Sequence, residues 1–212
     1  MVIKMTISKK IPDKNWTVDE LKNLSYDELM ELYKSLPSVE FDKMDGEYDA
    51  TMLKYPTERG RILGEWTLYG TGSSYWIGKA FTASSENPEF RGEGYNKFRV
   101  DGKEVRHTRF ASDMHESMID NKLVFRMRYS PFKNFSGSVD MIDEVRFLQE
   151  DLCLCIGTYN PEKLPPDFFC LFGPLNEYDH STEWPYGNEI RRMSKVPFTL
   201  DNYPFPEELK KE

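Results

Sequence analysis

The spacing of apolar residues changes once along the chain, near residue 41. Before that point, in "SYDELMELYKSLP", Leu29, Leu32, Tyr33 and Leu36 recur at helical spacing and form one apolar stripe. Thr17 with Glu20, and Ser25 with Glu28, fit the S/T-x-x-E capping box, in which paired side chains satisfy free backbone N–H groups. Pro37 ends the second helix, because proline disfavours helical backbone in the residue before it. The stripe needs a partner, so these helices are expected against the outside, or across one end, of something larger.

From Phe41 onward, apolar and polar positions tend to alternate. "MDGEYDATML" opens the strands. "RILGEWTLYG" reads as a strand with Ile62, Gly64, Trp66 and Leu68 on one face. "GTGS" is a turn cluster, and "YWIGKAF" returns with Tyr75, Ile77, Lys79 and Phe81 on one face and Trp76, Gly78 and Ala80 on the other. "GEGYNKFRV" leads into Asp101-Gly102, a strong hairpin signal because such turns need positive φ. "EVRHTRFAS" and "DMHESMI" follow, then a turn at Asp120-Asn121 and "KLVFRMRYSPF". There Leu123, Phe125, Met127 and Tyr129 share a face opposite Arg126 and Arg128. "SVDMIDEVRFLQ", a turn near Glu150-Asp151, "LCLCIGTY", the loop "NPEKLPP" and "DFFCLFGP" complete the pattern.

Nine or ten strands with short turns suit an antiparallel meander, and closure removes its exposed edges. The expected fold is mainly β: an up-and-down β-barrel of about 8–10 strands with a short N-terminal helical segment. Residues 1–16 read as an arm, 17–174 as one barrel domain including helices over 17–36, and 175–212 as an irregular tail packed on the barrel.

Composition narrows the class of protein. Aromatic residues make up 14% of the chain, a load that suits β-structure or a ligand cavity. The net charge of −8 argues against nucleic acid or an anionic membrane as partner. The N-terminus has no signal-peptide pattern, and no apolar run reaches the roughly eighteen residues of a membrane span. Cys153, Cys155 and Cys170 form neither a disulfide framework nor a C-x-x-C site. Buried thiols in a reducing, cytoplasmic setting are expected, in a monomer or homodimer.

A family resemblance sharpens the fold. "DGEYDAT", Asp45–Thr51, stands after the N-terminal helices where a lipocalin carries its G-x-W motif, with Tyr48 in place of tryptophan. A second G-x-W is Gly64-Glu65-Trp66. The chain also resembles lipocalin-like barrel proteins named for a G-x-W-x-G motif, which pair it with W-x-G-K-x-F, matched by Trp76 to Phe81. Met127, Tyr129 and Pro131 resemble a later strand of those proteins, whereas Ala50 replaces the last glycine of the first motif. The resemblance implies a calycin-type barrel with an apolar cavity and transfers no catalytic residues.

The chemistry must come from single side chains. P-loop, G-x-G-x-x-G, H-E-x-x-H and G-x-S-x-G signatures are all missing, so no cofactor and no metal are expected. His107 and His115 can converge if their strands are neighbours, and histidine titrates near neutrality. Alternation places Asp140 and Glu144 on one face and Asp143 on the other; a carboxyl entering an apolar cavity gains the raised pKa of a general acid. Tyr129 is a further acid/base candidate. Trp66, Tyr75, Trp76, Phe81, Phe125 and Met127 are candidate cavity walls. Arg126 and Arg128 can hold a ligand carboxylate if the interior is polar. Lys79 among aromatics can anchor a ligand or form a Schiff base, although such lysines more often snorkel to water. The functions that fit are a cofactor-independent isomerase, cyclase or lyase acting on a small hydrophobic metabolite, or a non-catalytic carrier of one. A barrel filled by its own side chains is the structural counterpart.

Overall fold

The computed structural model describes residues 15–70, 75–85, 87–138, 140–159 and 164–182. The "GTGS" turn from residue 71, most of the N-terminal arm, part of the "NPEKLPP" loop and the tail beyond residue 182 lie outside the described residues.

Both capping boxes form. They start α1 (Val18–Asn23) and α2 (Tyr26–Ser35), with Thr17 and Ser25 each accepting the N–H of the glutamate three residues on. The stripe of α2 buries Leu29, Tyr33 and Leu36 against Leu154, Ile156 and Phe168. A short 3-10 turn, Phe41–Met44, then delivers the chain into the first strand.

Eight antiparallel strands follow in meander order and close into a barrel: β1 (Gly46–Lys54), β2 (Trp76–Thr82), β3 (Gly92–Val100), β4 (Lys103–Glu116), β5 (Leu123–Arg128), β6 (Ile142–Gln149), β7 (Leu152–Thr158) and β8 (Asp167–Asn176). β8 pairs with β1, so neither is an edge. The Asp101-Gly102 turn forms as expected, with both residues at positive φ between the paired Val100 and Lys103.

The strand count falls to eight for two reasons. "RILGEWTLYG" is not a strand. It forms α3 (Glu58–Glu65) and a π turn, Trp66–Gly70. Thr57 caps α3 by accepting the N–H of Gly60, and Arg61 pairs with Glu58 at 2.6 Å and Glu65 at 2.5 Å, contacts that only helical spacing permits. The second G-x-W therefore lies on a helix end rather than on a barrel strand. "EVRHTRFAS" and "DMHESMI" are also one strand, the 14-residue β4. It carries a bulge near Thr108, which has φ of +58°.

The core has two layers. Inside the barrel, Tyr48, Phe81, Phe110, Phe125 and Met127 pack with Phe41 and Met44, closing the end where the 3-10 turn sits. Outside, α1 and α2 cover β6, β7 and β8. Leu68 of the π turn packs on the interior cluster, which places the α3 segment at the opposite end. No helix among the described residues is long and apolar enough to cross a membrane.

Candidate functional site

The interior contains a compact polar cluster toward the α3 end. Lys79 on β2 and Asp143 on β6 face each other from opposite walls, Nζ to Oδ2 3.0 Å apart. The lysine is 3% and the aspartate 0% exposed at the side chain. Lys79 Nζ also donates to Asn96 Oδ1 at 2.7 Å and to Tyr129 Oη at 2.5 Å, so all three ammonium protons have acceptors. Tyr129 donates to Asp143 Oδ2 at 2.9 Å and accepts from Asn96 Nδ2 at 3.2 Å. Trp76 Nε1 donates to Asn96 Oδ1 at 3.0 Å.

An aromatic cage surrounds the ammonium. The rings of Trp76 and Tyr129 lie 5.3 Å from Nζ, Phe169 5.4 Å and Phe110 5.6 Å. These are cation–π distances in a desolvated setting. Burial pulls the Lys79 ammonium below its ordinary pKa, and the charge of Asp143 opposes it. Burial, then the Asp143 charge, hold the Tyr129 hydroxyl well above its usual value.

Two local irregularities build this cluster. A bulge between Trp76 and Gly78 brings Trp76 onto the face of Lys79, which strict alternation forbids. The bulge in β4 turns both His107 and Phe110 inward, although they are three residues apart. His107 stacks on Phe98 at 4.1 Å, and burial lowers its pKa to about 4.

The remaining candidates separate clearly. Lys79 does not snorkel to water. His115 is exposed near the other end of the strand that carries His107. Eight residues of strand span about 27 Å, so the two histidines cannot converge. Asp140 is exposed in a turn at φ +53° and does not share a strand face with Glu144. Glu144 is buried but points outward beneath α2, accepting from Tyr33 Oη, Ser117 Oγ and the Met118 N–H. Arg126 and Arg128 lie outside and pair with Asp113 at 2.9 and 3.2 Å, so neither meets a ligand carboxylate in the interior. Tyr75 is 58% exposed and Trp66 is half-buried on the π turn. Phe81 and Phe125 pack in the aromatic cluster on the side of Phe41, whereas Met127 is the register partner of Asp143 on β6 and lines the interior beside it.

The decisive carboxylate, Asp143, stands beside the residue favoured by the sequence reading. Its signal was the alternation itself, which separates Asp143 from Glu144. Asn96 had no signal, being an ordinary residue in "GYNKF".

A crystal structure of a protein from Thermomonospora curvata is similar at a TM-score of 0.50 and 15% identity, covering 73% of this chain and 91% of that chain. At this identity the likeness shows the fold alone. No family model matches the chain, and no curated protein matches it.

Proposed function

We propose that this barrel binds a small hydrophobic molecule and performs cofactor-independent acid–base chemistry on it, of the isomerase, cyclase or lyase type. The observation that carries this reading is the buried Lys79–Asp143 pair with Tyr129, set in an aromatic cage. A buried ion pair rarely adds stability over apolar residues of the same volume. An interior built only to fold has no need of one. Lys79 and Tyr129 supply protons, Asp143 accepts them, and Asn96 holds both donors in register. The cage favours an unsaturated or otherwise polarisable substrate body. Acting in the cytoplasm as a monomer or homodimer accords with the composition.

A lipocalin-like carrier is the second reading. Gly46-Glu47-Tyr48 opens β1 directly after the helical segment, and Tyr48 packs inside against Phe81 at 5.4 Å, as a barrel-base aromatic would.

The two readings part on one experiment. Low-mass compounds extracted from purified protein are identified by mass spectrometry and returned to fresh protein in D2O. Acid–base catalysis gives deuterium incorporation or a new isomer, reduced about 100-fold or more in Lys79→Met and Asp143→Asn. Tight binding of a compound that emerges unaltered and unlabelled establishes the carrier and ends the catalytic reading.

A further inference from the structure

Asp143 engages the cluster through Oδ2 alone. Its Oδ1 is buried without a hydrogen-bond partner among the described residues. In register, Asp143 pairs with Gly157 on β7, and Gly157 with Asp167 on β8. Cys155 and Phe169 mark the inward face of those strands, so all three positions of this row face the interior. Gly157 keeps the lane between the carboxyls open. A Cβ there would meet Asp143 Oδ1 at 2.5 Å. The two aspartate backbones are two strand spacings apart, about 10 Å, and both side chains project inward from that row, Asp143 Oδ1 lying over Gly157.

Asp167 also borders a cleft under α3, lined with Thr57, Gly60, Leu63, Tyr159 and Leu164. About 20 Å³ of it is open to water molecules, room for about one. The Asp167 residue is 6% exposed, and its Oδ1 lies 3.5 Å from where a Cβ on Gly60 of α3 would stand. A buried carboxyl between a wet cleft and a half-engaged carboxylate is placed to exchange protons between them.

We propose that Asp167 is the proton-exchange residue of the interior site, linking the cleft under α3 to the Asp143–Lys79–Tyr129 cluster through water held over Gly157. This rests on the acid–base reading of that cluster. In the inward step the O–H bond of Asp167 breaks and its electron pair stays on the carboxylate. The proton joins the bridging water, which releases another proton to Asp143 Oδ1, where a new O–H bond forms. Asp167 then regains a proton from solvent in the cleft. Burial first, and the charge of Asp143 second, push its pKa up to about 8, so it holds a proton at neutral pH. The other groups near it are Tyr26 of α2, Tyr55 after β1, Arg59 of α3 and Tyr159 after β7. Each of these tyrosines is itself raised and stays neutral there.

The test is a pH titration of the full chain labelled with 13Cγ-aspartate, the two resonances being assigned from Asp143→Asn and Asp167→Asn. The expected result is an Asp167 titration near pH 8 and a matching step in the Asp143 resonance. That step disappears in Asp167→Asn, returns in Asp167→Glu, and is lost in Gly157→Ala, whose added methyl fills the lane. An Asp167 midpoint near 4, or an Asp143 step that survives Asp167→Asn, overturns the proposal. Circular dichroism of each variant verifies the fold. This readout needs no substrate, so a barrel that proves to be a carrier fails the labelling experiment above and leaves the titration to be judged by itself.

Discussion

Asp143 and Glu144 are adjacent on β6, both buried, and opposite in role. Glu144 points outward beneath α2 and receives three hydrogen bonds, from Tyr33, Ser117 and the Met118 N–H, at 2.9, 2.7 and 2.7 Å. Nearby, Arg146 is held by Asp120 and by the carbonyls of Tyr33 and Lys34, which fastens α2 to the barrel wall. Asp143 points inward, binds Lys79 and Tyr129 through one oxygen, and leaves the other unengaged. Burial alone therefore says little about function. The informative difference is that the outward carboxylate is saturated by fixed donors, whereas the inward one keeps acceptor capacity in a closed aromatic setting.

The largest effect should come from splitting the inward pair. Lys79→Met leaves an uncompensated carboxylate in the interior and should destabilise the fold by about 3–5 kcal/mol. The double variant Lys79→Met/Asp143→Leu removes both charges and should recover to within about 1 kcal/mol of the parent, or exceed it. Urea unfolding of the three proteins reads this directly. A double variant as weak as the single one would mean that the cluster holds the barrel together, and the contrast with Glu144 would dissolve.

Glu144→Ala comes next. It strands the Tyr33 and Ser117 hydroxyls and the Met118 N–H, at a cost of about 2–3 kcal/mol. Because Glu144 lies outside the barrel wall, ligand retention measured by mass spectrometry should stay at the parent level. Loss of ligand without loss of stability would reverse the roles of the two carboxylates.

Asp167 extends the contrast to pH. Its folded pKa of about 8 stands above its ordinary 3.8, so between those values the folded state holds a proton that the unfolded state has released. Stability therefore falls as pH rises through that window, and the penalty is complete above pH 8. Asp167→Asn removes it. The variant should match the parent near pH 4 and gain on the order of 2 kcal/mol by pH 9, with hydration from the cleft limiting the gain. Urea midpoints that stay parallel from pH 4 to 9 would refute this.

How far the chain could be read depends on which rule each segment obeys. The capping boxes, the Asp101-Gly102 turn and the alternation in β5 are local signals; the caps and the turn form, and Phe125, Met127 and Tyr129 face inward, whereas Leu123 at the start of β5 is exposed. The α3 segment misleads because Ile62, Gly64, Trp66 and Leu68 fit a period of two, while only Ile62 and Trp66 stand at helical i, i+4 spacing. The arbiter was present in Thr57 as a cap and in the Glu58, Arg61 and Glu65 ladder. The site was less legible. Trp76 and His107 reach the interior only through bulges, and a bulge shifts every later side chain to the other face. The setting of Lys79 is hidden because only one acceptor, Asn96, is its register partner on neighbouring β3, whereas Tyr129 just beyond β5 and Asp143 on β6 reach it across the closed barrel.

The smallest effect asks what holds Lys79 charged. Two supports act on it: the carboxylate of Asp143 and the four rings around Nζ. Trp76→Phe touches only the second. It keeps a ring in place, weakens its cation–π attraction, and deletes the indole hydrogen bond to Asn96 Oδ1, which still accepts from Lys79. The expected loss is about 1 kcal/mol. If the ion pair dominates, the 15N resonance of the Lys79 ammonium in labelled protein should persist to the same pH as in the parent. If the cage dominates, that ammonium should deprotonate earlier, and the inward site would owe its charge to its aromatic walls. Asp143 would then be free to act as a base without first giving up its partner.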